Sequence, residues 1–572
     1  MGIPHLTRHL QLYAEPVYLG DVKELAETEV PTVKSVVIDG PSLVYHIYSV
    51  LLARSGVQYN AFDQQPTCNE VSVAVVTFLS LLELANVHVA KIYFDGALPV
   101  TKRETRLSRL EKCRQRLETY CIAARKGLPA VSSARPFLRI EPTGSLQRLS
   151  SLSSAAKKRF HLPENAFIVS TVVEDLKTRW SRSAIRSHVS PELAELLSEG
   201  ESLPWSDKCE VVPGEADLYC SEYMRDNPEM AVLSSDSDLL IHAMGPQNSV
   251  VFLNSLDADT RAGSYRSQPI IKATRICPAA LSAKLGIPDL SYFAYALTLN
   301  PNHGIRQLIQ RAKQTAESRH EQGYTEFLKE FRYNGAALPL HHVESLQGLD
   351  ARVAELFVQF LQPADSDPPQ IYLPFLLEDH SRACAWNVAR HIRTLVYSLL
   401  ASGHQATAAA GPSAVIECVR RGHRFCFDKI DLSSDEQIDS ELQTMLDRLK
   451  WVRNETSEEV NSPVFWRIYA LSELELDEDY DPYVFTRKHL RVTLGLDSTA
   501  GIIKWTEIHA LAQTHAILYS LRMLSQILNC FSPTTGPRRE AQQLLSHLPP
   551  LRVLMKSRQE LVQELQDSKR GS

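Results

Sequence analysis

Four apolar, β-branched runs in the first 240 residues each lead into acidic residues, and that repetition restricts the fold more than any other feature. TVKSVVIDG closes on Asp39 and HVAKIYFDG on Asp95, CEVVPGEADL carries Glu215 and Asp217, and AVLSSDSDLL carries Asp236 and Asp238. Runs of this composition bounded by Gly or Pro predict strands of a parallel sheet buried on both faces. The functional crevice of such a sheet lies beyond the carboxyl ends of its strands. Asp39 and Asp238, nearly 200 positions apart, are therefore expected at one edge. A single Asp after a strand also serves as a turn former or helix N-cap. The pairs Glu215/Asp217 and Asp236/Asp238, at spacing two, exceed what a cap needs. Carboxylates in one small volume repel unless cations neutralise them, and hard divalent ions such as Mg²⁺ take oxygen ligands. Two such ions stabilise the attacking and leaving oxygens of an in-line phosphoryl displacement. The expected activity is metal-dependent phosphodiester hydrolysis.

The segments MGIPHL, VVIDGPSLVY, YFDGALPVTK, VVPGEADLYC and LSSDSDLL occur in this order. In order and approximate spacing they resemble the nuclease motifs of the XPG/flap-endonuclease family. With PENAFIVSTVVEDL before the PGEAD segment, the chain looks like the asteroid branch of that family. The resemblance covers about residues 1–125 and 160–305, and more loosely VARHIRTLVYSLLA and AVIECVRRGHRFCFDKIDL. It implies a PIN-like α/β fold, with a parallel-sheet nuclease core, helices on both faces and a mainly helical C-terminal module. It also implies two Mg²⁺ ions, replaceable by Mn²⁺. Asp39, Asp95, Glu215 and Asp217 would serve the first ion, and Asp236 and Asp238 the second. Gly2 resembles a family glycine that lies near the active site. Tyr45 falls where the family stacks an aromatic ring on a base, although a tyrosine there also suits a helix core. Lys102 and Arg109 match positions that contact the scissile phosphate, and with Arg106, read as a third DNA contact, they stand at i, i+4 and i+7 on one helix face. A solvated basic face partnered by Glu104 and Glu111 fits the same spacing.

The resemblance breaks in YFAYALTLNPNHGIRQLI. Pro301, between Asn300 and Asn302, stands where the family has its last aspartate, and Gly304 alone replaces a glycine-richer turn. Proline offers no side-chain oxygen to a cation. Two readings follow. One is a structure-specific DNA endonuclease acting on flaps, overhangs or single-strand junctions in DNA repair. The other is a pseudo-nuclease that keeps the fold and binds nucleic acid or protein without turnover. The chemistry itself admits RNA as well as DNA.

A net charge of −6 excludes a generally basic coat but leaves room for local basic patches. One is expected at 125–159, where Arg125, Lys126, Arg135, Arg139, Arg148, Lys157, Lys158 and Arg159 face only Glu141. Its Ser and Pro content predicts a flexible loop, either a lid that guides a single strand or a solvated linker. The organisation is then an N-terminal nuclease segment (1–125), the basic Ser-rich loop (126–160), an internal nuclease segment (161–305) and a helical module (306–572). That module carries apolar spacings of three and four with a small strand pair near 414–428, and is expected to brace the core or bind a protein partner. Its acidic run ELELDEDYDPY is expected to be a solvated loop. The ten cysteines lack paired zinc spacing, Cys418, His423 and Cys426 being one ligand short. No apolar run reaches the ~20 residues of a membrane span, and a nuclear location follows from the DNA reading rather than from a visible signal.

Overall fold

The computed structural model describes residues 3–21, 30–55, 59–97, 102–129, 135–140, 162–259, 269–318, 322–331, 340–361, 368–404, 412–474, 502–531, 533 and 535–571. Its strands in chain order are β1 (Glu15–Leu19), β2 (Thr32–Val33), β3 (Ser35–Asp39), β4 (His88–Asp95), β5 (Leu128–Pro129), β6 (Cys209–Val212), β7 (Ala231–Ser234), β8 (Ser249–Phe252), β9 (Asp257–Asp259) and β10 (Ile270–Ile276). The C-terminal half adds β11 (Gln370–Tyr372), β12 (Ala414–Arg421), β13 (Arg424–Asp431) and β14 (Ile502–Ile503). A nine-stranded sheet runs β2-β1-β10-β8-β7-β3-β4-β6, with β9 on β10. Its central pairs β8/β7, β7/β3, β3/β4 and β4/β6 are all parallel. The strand expected at each acidic motif is present and in the expected orientation.

Alternation along these strands divides the core between the two faces. Val36 and Ile38 of β3, Ile92 and Phe94 of β4, and Ala231 and Leu233 of β7 enter one apolar cluster. Val37, Tyr93 and Val232 enter the other. A side-chain period of two thus buries both faces, as a parallel sheet requires. The helices Gly40–Arg54, Cys68–Leu84 and Ile168–Thr178 cover the first face. Ala216–Asp226, Pro278–Leu285, Leu290–Leu299 and Ile305–Glu317 cover the second.

The glycines after Asp39 and Asp95 are sterically required. A Cβ on Gly40 would lie 2.6 Å from the Phe94 ring, and one on Gly96 would lie 2.0 Å from the Val212 carbonyl oxygen. The IDG and FDG motifs therefore record close packing at the strand ends as well as chemistry.

The C-terminal half is mainly helical, as expected, and shares its core with the sheet. Phe357, Trp386, Val396, Trp466, Leu521 and Met555 belong to the same apolar cluster as Val36 and Ile38. The amphipathic stretch that begins at Ile305 forms two helices, Ile305–Glu317 and Gln322–Phe331. The expected strand pair near 414–428 is the β12/β13 hairpin, extended by β11 into a three-stranded sheet. Buried ion pairs fasten this half internally. Arg393 meets Glu417 with both side chains fully buried, and Arg420 meets Glu378.

Most of the basic stretch at 125–159 and most of the ELELDEDYDPY run lie outside the described residues. Within the described part, Arg135 departs from the expected solvated basic patch. Arg135 is buried, making a two-nitrogen contact with the carboxylate of Glu70, whose Oε1 also accepts the Leu138 amide. A guanidinium held in that way belongs to the core of the fold rather than to a solvated patch. No described helix is long and apolar enough to cross a membrane.

Candidate active site

The sheet places each acid at the carboxyl end of its strand. Asp39 ends β3 and caps the helix Gly40–Arg54, its Oδ1 accepting the Ser42 amide at 3.1 Å. Its Oδ2 accepts the Ser234 hydroxyl at 2.6 Å, which ties β3 to β7. Asp95 ends β4 and accepts the amide of Ala216, the first residue of the helix Ala216–Asp226. Glu215 and Asp217 flank that helix start, so two helix N-termini, with their partial positive charge, face the acids. Asp236 follows β7, its amide donating to Ser234 Oγ at 2.9 Å. Asp238 accepts the Ile3 amide at 2.7 Å, bringing the N-terminal segment to the site.

These groups share one electrostatic environment. Burial, with Asp95 and Asp236 nearby, raises Asp39 to about 7, against the opposing bonds from Ser234 and Ser42. Burial and Asp236 likewise bring Asp238 to about 7. Asp217 is raised well above the ordinary carboxylate range by burial and then by Asp39, Asp236, Asp95 and Asp238. Asp95 and Glu215 are raised chiefly by burial. Asp236 contributes to the upward shift of all five other acids, which places it at the electrostatic centre of the group.

Among the described residues, Lys102 pairs directly with one of these acids. Its Nζ lies 2.7 Å from Glu215 Oε1, with both side chains largely buried. Burial pulls the ammonium down, but Glu215, Asp238 and Asp217 together hold it above its ordinary value. Arg106 turns away from solvent, with Nη1 at 2.8 and 2.9 Å from the two Glu355 oxygens. Arg109 is exposed on the helix Arg103–Ala123. The three basic residues thus separate into one beside the acids, one engaged by the C-terminal half and one in solvent.

Tyr45 lies on the helix that begins after Asp39 and is 38% exposed, so its ring is only partly in the core. Gly2 lies outside the described residues. Pro301 is exposed in the turn between the helices Leu290–Leu299 and Ile305–Glu317. Gln307 Oε1 accepts the Gly304 amide at the start of the second helix.

Sequence reasoning missed Ser42 and Ser234. The Ser42 hydroxyl accepts the Ser235 amide at 2.7 Å, and Ser234 bonds Asp39, so the two serines lace the strand ends beneath the acids. Their positions in DGPS and LSSDSD were the available signal.

Among the described residues, no group of three or more His, Cys, Asp or Glu side chains stands ready to hold a metal ion. The donor chemistry nevertheless suits a hard divalent cation. Every acid offers oxygen, all six are buried or half-buried, and five have their protons held more tightly than ordinary carboxylates do. A cation among them would relieve the repulsion that raises those values.

Residues 164–432 match the family model described as XPG domain containing. Asteroid homolog 1 of Schizosaccharomyces pombe is 24% identical over 414 residues, covering 70% of this chain and 60% of the relative. The chain thus spans 60% of the length of that curated relative. The family match runs beyond residue 305 into the β12/β13 hairpin, in keeping with a core that both halves share.

Proposed function

We propose that the chain is an asteroid-like member of the XPG-type family, as the match over residues 164–432 and the likeness to Asteroid homolog 1 support, and that it is a metal-dependent, structure-specific DNA endonuclease. Its substrates are flaps, overhangs or single-strand junctions, and its setting is DNA repair in the nucleus. The observation that carries the reading is the gathering of six acids at one sheet edge, with Asp39 and Asp238 both raised to about 7. A fold gains nothing structurally from burying carboxylates that repel one another.

Two Mg²⁺ ions, or Mn²⁺ in their place, would be held by Asp39, Asp95, Glu215 and Asp217 and by Asp236 and Asp238, and would supply Lewis acidity and an activated water. The chain's own groups do the rest. Lys102 presents an ammonium beside Glu215 and neutralises charge on the phosphate as it builds up. Arg109, exposed seven residues further along the same helix, meets the phosphate backbone from solvent. Tyr45 offers a partly exposed ring for a base to stack on. Ser234 and Ser42 hold the strand ends, and with them the carboxylate of Asp39, in place.

A second reading is a pseudo-nuclease scaffold for nucleic acid or protein. It is favoured by Pro301 at the position of the last family aspartate and by the lack of a ready three-group metal site among the described residues. Cleavage of labelled flap, 5′-overhang, 3′-overhang and single-stranded DNA, with an RNA arm, decides between them in Mg²⁺ or Mn²⁺. Cutting that disappears in Asp236→Ala supports the nuclease. Binding without cutting supports the scaffold.

A further inference from the structure

The first turn of the helix Arg103–Ala123 has no side-chain N-cap, yet both of its inward-facing cations are seated. Arg106 is gripped by the C-terminal half. Its guanidinium contacts both oxygens of Glu355 on the helix Ala351–Leu361 and lies 4.6 Å over the ring of Tyr372 on β11. The pair is largely shielded from water, the side chains being 18% and 15% exposed. The Tyr372 hydroxyl is itself fixed by Gln370 Oε1 at 3.1 Å. Four residues earlier, Lys102 Nζ stands 5.6 Å from the centre of the Phe331 ring, at the end of the helix Gln322–Phe331. Phe331 therefore backs the same ammonium that meets Glu215. Cation–ring contacts and a two-oxygen ion pair both demand a defined approach direction, so they orient a side chain as well as attract it.

We propose that Glu355 and Tyr372, aided by Phe331, are positioning residues that clamp the start of this helix and thereby aim Lys102 at the carboxylate cluster. The inference rests on the nuclease reading for its catalytic consequence, though not for the clamp. It assigns Arg106 to holding the helix rather than to contacting nucleic acid. It also gives the C-terminal half a direct part in the site, through residues that touch neither the acids nor the scissile bond.

The test uses the full chain, with the isosteric variant E355Q, the charge-removing variant R106Q, the double variant, and hydrogen exchange alongside cleavage. Exchange at amides 107–112 is expected to quicken about tenfold in E355Q, while amides 114–121 of the same helix stay within about twofold. In cleavage, kcat should fall about tenfold in each single variant with KM within about twofold, and the double variant should be no slower than the singles. E355D, which keeps the charge, should recover part of the loss. Multiplying defects in the double variant, or an R106Q effect on KM alone, would overturn the clamp in favour of direct substrate contact by Arg106. Unchanged exchange in E355Q would overturn it outright. A wild-type chain that cuts nothing but loses protection in E355Q would sink the nuclease reading and leave the clamp standing.

Discussion

The Ser234 hydroxyl donates to Asp39 Oδ2 across 2.6 Å, joining the ends of two parallel strands that lie 195 positions apart in the chain. That bond opposes the burial that drives Asp39 toward its neutral form. It also fixes one carboxylate relative to Asp236, whose amide bonds the same Ser234 oxygen.

Ser234→Ala should therefore raise the Asp39 value further above about 7. A shift of about one unit is expected, since one unit corresponds to ~1.4 kcal/mol and a hydrogen bond to a charged group contributes about that much. Carboxyl-carbon NMR titration of the metal-free chain would measure it. An unmoved Asp39 would show that the bond does not stabilise the ionised form.

The raised acids set a direction for stability against pH. Asp39 and Asp238 sit near 4 when unfolded and at about 7 when folded, so between those values the folded chain binds more protons. Their contribution is fully present below about pH 4 and is lost as pH rises through 7. The metal-free protein should melt at lower temperature at pH 8 than at pH 5.5. Asp217→Asn, which removes a charge repelled by four neighbours, should narrow that difference and stabilise the chain at pH 8 by roughly 1–3 kcal/mol. Urea unfolding at the two pH values would check both statements.

Glu70 anchors a different part of the structure. It bonds the Thr67 amide as half of a capping box, pairs with Arg135 and accepts the Leu138 amide. Glu70→Ala leaves a buried guanidinium with backbone carbonyls but no carboxylate to balance its charge, and a loss of about 3–5 kcal/mol is expected. Equilibrium unfolding would measure it, and a loss under ~1 kcal/mol would mean that water reaches Arg135 in the folded state.

The sheet and its acids were legible because parallel strands advertise themselves. SVVID and AVLS are unbroken apolar runs, and the glycines after Asp39 and Asp95 fill places where a Cβ collides. The helical spacing of Lys102, Arg106 and Arg109 was also visible, but not what each would meet. Arg106 found Glu355, 249 positions away, and Arg135 found Glu70, 65 positions upstream. One sequence carries no record of such pairings, because a lone Arg in a polar stretch reads the same whether solvated or paired. For the same reason Phe357 and Leu521 announced amphipathic helices without revealing that they pack on the face that Ile38 occupies.

Whether the six acids act together as a divalent-cation site is read by calorimetric titration of Mn²⁺ into the metal-free chain at pH 6, below the values of about 7 at which Asp39 and Asp238 lose their protons. Wild type should bind with proton release, because Asp39, Asp217 and Asp238 give up tightly held protons when a cation arrives. Asp236→Ala, which removes the charge all five other acids feel, should weaken binding at least about tenfold. Equal Mn²⁺ affinity in wild type and Asp236→Ala, or no binding by either, would mean that the six acids do not act together on a cation.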